Sequence, residues 1–163
     1  MRRNVSSWVI VAMLGAAGAA QAGGLLLTPE SLPVAARKRL GEEIAKAKEA
    51  DPAAFDRVQA LATRAGEFDA RKRGRLAPMS PMLNSLGQAA LWPMVELIAF
   101  DTRRVDADVM TDSARLALHV GLIEAAGRLR DQRVAPLWSA ILDGSEPRLP
   151  VLRAAAEALA RLD

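Results

Sequence analysis

The sequence predicts an all-α fold, a short α-solenoid of antiparallel helix pairs with an N-terminal helical hairpin as its cap. Two observations support this prediction. Ala, Leu and Arg dominate the composition, and no segment shows the period-two alternation of a half-buried strand. A helix-length motif also repeats, because Glu124–Leu129 recurs 33 residues later as Glu157–Leu162, with Glu, Ala, Arg and Leu in register.

Residues 1–22 have the features of a secretory signal peptide. Arg2 and Arg3 open the chain, an apolar run extends from Trp8 to Ala20, and Ala20-Gln21-Ala22 supplies the small residues that a signal peptidase accepts. The apolar run is shorter than the roughly twenty residues of a membrane-spanning helix. An uncleaved N-terminal anchor is the alternative. We expect cleavage after Ala22 and a periplasmic or secreted mature protein.

The composition excludes several classes of function. The chain has 22 basic and 19 acidic residues, and removal of Arg2 and Arg3 leaves 20 against 19. A nearly neutral chain offers little of the phosphate attraction on which nucleic-acid binding depends, so we expect no nucleic-acid partner. The chain has no cysteine, which excludes disulfides, thiol nucleophiles and zinc–thiolate sites.

Residues 23–75 are predicted to form the helical hairpin. Its first helix spans about Pro29–Ala50 after the capping residue Thr28, and its second helix follows Asp51-Pro52 and ends at Gly74. The connecting turn is so short that the two helices must run antiparallel. The basic residues at the end of the second helix complement its dipole, or alternatively make a weak membrane contact; they are Arg71, Lys72, Arg73 and Arg75.

Residues 76–85 contain Pro78 and Pro81 and are predicted to be a linker between this hairpin and the repeats of residues 86–163. Asp112 and Ser145 are candidate N-caps, and Gly144 is a candidate stop signal. The helices of the repeat region are predicted at about Leu86–Phe100, Asp112–Leu129, Arg133–Leu142 and Pro147–Leu162.

The repeat region resembles a known family. Leu91-Trp92-Pro93-Met94 matches Val134-Ala135-Pro136-Leu137 when the prolines are superposed, and the tract Val120–Asp131 precedes the second of these motifs. This order of an Ala-rich helix, an Asp turn and a Pro-bearing helix resembles the HEAT repeat, particularly the short bacterial form related to phycobilisome-lyase-type repeats. The resemblance covers about Leu86–Asp163 and is sharpest from Leu118 onward.

The resemblance implies a scaffold or adaptor that binds partners along its second helices. The candidate residues for an acidic partner are Arg115, Arg128, Arg153 and Arg161, with Trp92 and Trp138 as candidate anchors. The alternative is structural. Glu124 and Glu157 each precede an arginine by four residues, as in solvated helical ion pairs, and both tryptophans are also typical of a core. The chain ends directly after the last repeat, which leaves an exposed flank for a partner or a second copy.

No pattern in the sequence indicates catalysis. His119 is the only histidine, so it cannot form a multi-histidine metal site, and it is expected to be a packed imidazole or, alternatively, a pH sensor. Neither a nucleophile elbow nor a glycine-rich phosphate loop is present. We therefore expect no catalytic residue, metal or cofactor, and predict an exported interaction module of the bacterial envelope. The alternatives are a lyase-like or enzyme-associated factor that holds a substrate or cofactor in a groove, and a helical bundle in which the repeat is coincidental.

Overall fold

A computed structural model describes residues 23–72, 75–100 and 110–163, so the predicted signal peptide lies outside the described residues. Every regular element within these ranges is helical, which confirms the all-α prediction. In the described ranges, the 3-10 helices Pro29–Ser31, Gln88–Ala90 and Gln132–Val134 accompany the α-helices. The α-helices are α1 Val34–Ala50, α2 Pro52–Thr63, α3 Ala65–Ala70, α4 Met79–Asn84, α5 Leu91–Ala99, α6 Asp112–Arg128, α7 Ala135–Asp143 and α8 Leu149–Ala160.

The N-terminal hairpin forms with different helix limits from those predicted. The Asp51 side chain accepts a hydrogen bond from the backbone N–H of Ala54 at 3.0 Å, so the predicted cap of the second helix is confirmed. The first helix begins later than predicted, since Thr28 opens only a 3-10 turn and α1 starts after Pro33. The second helix is interrupted at Arg64, which separates α2 from α3.

Residues 76–85, predicted to be a linker, contain helix α4. Met79 and Leu83 are fully buried, and α4 packs against α6. Pro81 is compatible with this helix because it lies in the first turn, where a backbone N–H has no partner within the helix. The segment is therefore part of the core and does not separate two domains.

The helix ends of the repeat region lie within two residues of the predicted ones, except that α5 begins at Leu91 and not at Leu86. Two caps also differ. The Thr111 side chain accepts a hydrogen bond from the backbone N–H of Ala114 at 3.1 Å, so Thr111 and not Asp112 is the N-cap of α6. Helix α8 begins at Leu149 after Arg148, not after Ser145. Gly144 directly follows the end of α7, as predicted.

Helix α6 is the centre of the packing. It contacts α3, α4, α5 and α8, while α7 packs on α8 and the α1–α2 hairpin packs on α5. Small residues permit the close crossings: a Cβ on Gly127 of α6 would lie 2.5 Å from the Cβ of Ala158 of α8. The hairpin and the repeat region thus share one core.

The segment before α1 is fixed against the end of α5. The backbone N–H of Leu25 donates to the carbonyl of Leu97 at 2.7 Å, and those of Leu26 and Leu27 donate to the carbonyl of Ile98 at 3.0 and 3.1 Å. These bonds satisfy carbonyl groups that the end of a helix leaves without partners. A Cβ at position 24 would overlap the backbone of α5, so only glycine fits there.

Candidate functional site

Two of the four predicted partner-binding arginines lie on α8 and share one carboxylate. The Arg153 Nε donates to Glu157 Oε1 at 2.8 Å, and the Arg161 Nη2 donates to Glu157 Oε2 at 3.2 Å. The hydrogen bond from Arg153 lowers the pKa of Glu157 and raises the pKa of Arg153 in turn. Glu157 therefore already pairs with both guanidinium groups, although the Nη1 of Arg161 is buried without a hydrogen-bond partner among the described residues.

Arg128 ends α6 beside this pair. It directly follows Gly127. A Cβ placed on Gly127 would lie 3.8 Å from the Nη1 of Arg161. The Arg128 side chain is exposed and has no ion pair with any residue that the structure describes. Within the part of the chain that the structure describes, Arg128 is thus the arginine of this group without an ion pair.

Arg115 lies at the other end of α6. It is thirteen residues before Arg128, which corresponds to about 20 Å along a helix that rises 1.5 Å per residue. Its Nη2 lies 3.7 Å from Asp112 Oδ1 and donates to the carbonyl of Met110 at 3.3 Å. The four arginines therefore do not form one continuous surface. Arg153 and Arg161 share Glu157, Arg128 ends α6 directly after the residue that contacts α8, and Arg115 lies at the opposite end of α6.

His119 lies on α6, one turn after Arg115, and its side chain is in the protein core. Only 2% of the residue is exposed, and neither ring nitrogen has a hydrogen-bond partner. Burial lowers the pKa of His119 to about 4, and the nearby positive charges of Arg148 and Arg115 act in the same direction, whereas Glu146 opposes them. The imidazole is therefore neutral at physiological pH. No group of metal-ligating side chains occurs among the residues that the structure describes.

The two tryptophans have different environments. Trp138 is fully buried, and its Nε1 has no hydrogen-bond partner, so it belongs to the core and cannot contact a partner at the surface. Trp92 is half-buried, and the Arg133 guanidinium covers its ring at 4.7 Å from the centroid. Only Trp92 retains exposed area, and Arg133 already occupies one of its faces.

A groove lies between the N-terminal segment and the second helix pair. It encloses about 820 Å³. One wall is the chain from Gly24 to Pro33, and the other runs along α7 and the loop after it, from Pro136 to Pro147. Hydroxyl groups and carboxylates supply its polar lining: Thr28, Ser31, Ser139, Ser145, Asp143 and Glu146.

The basic cluster at the end of the hairpin is only partly described. Arg71, Lys72 and Arg75 are exposed, while Arg73 lies outside the described residues. Arg71 is the C-cap of α3, which is the end of a helix that basic residues complement. Of the described helices, none combines the length and hydropathy that a bilayer crossing requires.

The sequence suggested a groove only as part of the alternative function, and it indicated neither the residues that line this groove nor the contacts of Arg133. Both depend on contacts between positions about 90 or more residues apart, such as the pair Arg133–Glu43 and the groove walls Gly24 and Ile141. The stop signal at Gly144 marked the end of α7, but no local pattern indicated which segment packs across it. Comparison with known proteins adds no similarity, since no family model, no curated protein and no solved structure matches the chain.

Proposed function

We propose that this chain is an exported, non-catalytic protein-interaction module of the bacterial envelope, built as a short HEAT-like α-solenoid. The observation that carries the proposal is the order of helix contacts. Helix α5 contacts α6, α7 contacts α8, and α6 lies along α8, which is the neighbour pattern expected of stacked helix pairs. Stacked second helices present a continuous surface to a partner.

The charge on this α6–α8 surface suits a partner that is acidic. Arg128 has no ion pair among the described residues, and the Arg153 side chain is 79% exposed. Glu157 accepts hydrogen bonds from Arg153 and Arg161 and orients both side chains. On binding, carboxylates of the partner would replace Glu157 as the acceptors. Exposed charges of this kind contribute more to the association rate and to specificity than to affinity.

The position of His119 argues against its use as a general acid or base. General acid–base catalysis needs a titratable side chain within hydrogen-bond reach of the reacting group. His119 is buried without a hydrogen-bond partner and does not line the groove that contains the hydroxyl groups. The second candidate function is an accessory factor that holds a small substrate in that groove, since about 820 Å³ is within the size range of ligand pockets.

A photo-crosslinking experiment tests the interaction module. We would place a photoreactive amino acid at position 128 or 153 in cells, with position 38 on α1 as the exposed control, since the Lys38 side chain is 78% exposed. We expect one discrete envelope protein to be captured from 128 and 153, not from 38. Arg128→Glu should lower the yield from 153 at least about tenfold, because repulsion between like charges costs more than the roughly 1.4 kcal/mol that corresponds to tenfold. Equal capture from all three positions, or none, would refute the proposal.

The export half of the proposal has a separate test. Amino-terminal sequencing of the protein recovered from the envelope fraction is expected to start at Gly23. Ala22→Leu should block processing, because signal peptidases require a small residue there. A cytoplasmic protein that retains Met1 would contradict export. Mass spectrometry of the purified native protein tests the second candidate function, which predicts a bound small molecule.

A further inference from the structure

The end of α7 gives the groove an electronegative wall. Helix α7 ends at Asp143, and the backbone N–H of Gly144 makes no capping hydrogen bond. The carbonyl oxygens of Ala140 and Ile141 are directed at Gly144, lying 3.0 and 3.7 Å from the place a Cβ would take there. Within the described part of the chain, no donor outside the helix reaches them. These carbonyls carry the partial negative charge of a helix C-terminus.

The Asp143 carboxylate adds a full negative charge at the same place. It is exposed and has no ion pair or hydrogen bond with any described residue. Glu146 differs, because Arg148 donates two hydrogen bonds of 2.6 Å to it. No Lys or Arg is among the lining residues. The N-terminus of α1 on the facing wall contributes about half a positive charge, and the C-terminus of α7 offsets it. The carboxylate of Asp143 therefore makes the net charge of the groove negative.

Two exposed aliphatic residues lie close in sequence to lining residues, one on each side of the groove. Val34 follows the lining residue Pro33, and Leu149 lies two residues after the lining residue Pro147. These side chains are 72% and 74% exposed, the highest values of any large apolar residue that the structure describes. Exposed apolar residues around a groove mark a surface that gains free energy when a partner covers it.

We propose that this groove binds a partner polypeptide through a lysine or arginine side chain flanked by aliphatic residues. The cation donates hydrogen bonds to the free carbonyls at the end of α7 and pairs with Asp143, an arrangement in which charge-assisted bonds are stronger than neutral ones. The flanking residues cover Val34 and Leu149. This assignment rests on the proposed interaction function and adds the chemistry of one binding site.

An NMR titration of the ¹⁵N-labelled full chain tests the assignment. The probes are acetyl-Leu-Arg-Leu-amide and the same peptide with citrulline, which keeps the shape of arginine without its charge. We expect the arginine peptide to shift the amide signals of Ile141, Gly144 and Ser145 and to bind about tenfold more tightly than the citrulline peptide. Equal binding of the two peptides, shifts confined to other regions, or no shifts would overturn the proposal.

Matched variants locate the interaction. Asp143→Asn is expected to remove most of the preference for arginine over citrulline, while Glu49→Gln, which neutralises another exposed carboxylate without a described ion pair, leaves it unchanged. Leu149→Ser should weaken binding of both peptides several-fold because it removes an apolar contact. Leu76→Ser is the control, since Leu76 is also exposed but, unlike Leu149, is not close in sequence to any residue that lines the groove.

The two proposals fail in distinguishable ways. Capture of an envelope protein from positions 128 and 153, together with no peptide binding at the groove, would leave the interaction function standing and refute only the groove assignment. Binding of the arginine peptide without capture from α6 and α8 would instead support the groove and refute the α6–α8 surface as the contact.

Discussion

The guanidinium of Arg133 lies 4.7 Å from the ring centroid of Trp92, which places a residue of the α6–α7 turn on the first helix of the preceding pair. The same guanidinium donates hydrogen bonds to Glu43 of α1 and, at 2.6 Å, to Asp131. One side chain thus joins the N-terminal hairpin to both helix pairs. Asp131 has a pKa below its usual value, chiefly because of this hydrogen bond.

Replacement of Arg133 is expected to loosen the hairpin from the repeats. Arg133→Ala should lower the free energy of unfolding by about 1–2 kcal/mol, since it removes one cation–π contact and two ion pairs at a partly exposed position. Arg133→Lys should restore only part of the loss, because an ammonium group cannot stack and bond in a fork at once. Urea denaturation measures both changes. Arg128→Ala is the control, and an equal effect there would contradict the role of Arg133.

A methyl group at Gly127 is expected to disrupt the crossing of α6 and α8. Its Cβ would lie 2.5 Å from the Cβ of Ala158, so the helices must move apart, at a cost of about 1–3 kcal/mol. Gly66→Ala is the matched control, because position 66 of α3 has open space and alanine is the better helix former. We expect the midpoint temperature of thermal unfolding to fall for Gly127→Ala and to stay the same or rise for Gly66→Ala. A neutral Gly127→Ala would show that the crossing is loose.

Arg130 is a position where glycine should stabilise the protein. Its φ of 53° is in the left-handed region, two residues after the end of α6, and glycine adopts this conformation without steric cost. Arg130→Gly is expected to raise the free energy of unfolding by about 0.5–1 kcal/mol, measured by urea denaturation. Arg130→Ala keeps the strain and removes the same charge, so a gain of equal size in both variants would point to charge and not to conformation.

The buried histidine is expected to make stability depend on pH. In the folded protein the pKa of His119 is about 4, below the ordinary value of 6.5, so between these values the unfolded chain takes up the proton more readily. Stability should therefore be complete above about pH 6.5, fall as the pH is lowered towards 4, and level off below it. The loss from pH 7.5 to pH 5 should be roughly 2 kcal/mol.

His119→Leu removes this titration while it keeps an apolar core. We expect the variant to lose most of the difference in unfolding free energy between the two pH values, whatever its absolute stability. Chemical denaturation at each pH measures the difference. If His119→Leu leaves the pH dependence of the unfolding free energy unchanged, the acid sensitivity belongs to carboxylates such as Glu146. The hydrogen bond from Arg148 lowers the pKa of that carboxyl.

The sequence predicted the local features of the fold better than the contacts between distant segments. The cap at Asp51 and the stop at Gly144 were predictable because their signals lie within a few residues of the helix end. Helix α4 was missed because Pro78 and Pro81 are typical of a linker. A proline within the first helical turn removes no hydrogen bond, and only the burial of Met79 shows that this segment belongs to the core.

The candidate surfaces were predictable only in part. Trp92 and Trp138 occupy related places in the repeat, yet one is half-buried and the other fully buried, since burial depends on which helix packs above each of them. Arg115 and Arg128 lie on one helix as predicted, but the thirteen residues between them along α6 keep them from sharing one surface. The groove could not be derived, because the segment that forms its first wall has no periodic pattern of its own.

If residues 1–22 are removed as we propose, the hydrogen bonds that fix residues 25–27 to α5 also constrain the order of events in maturation. Gly24 is only two residues beyond the predicted cleavage point at Ala22, and position 24 touches the backbone of α5. A peptidase binds its substrate as an extended chain. A segment that packs this closely on α5 cannot extend into the active site of the peptidase. Removal of the leader is therefore expected to precede the seating of Gly24, so that trimming comes before the final step of folding.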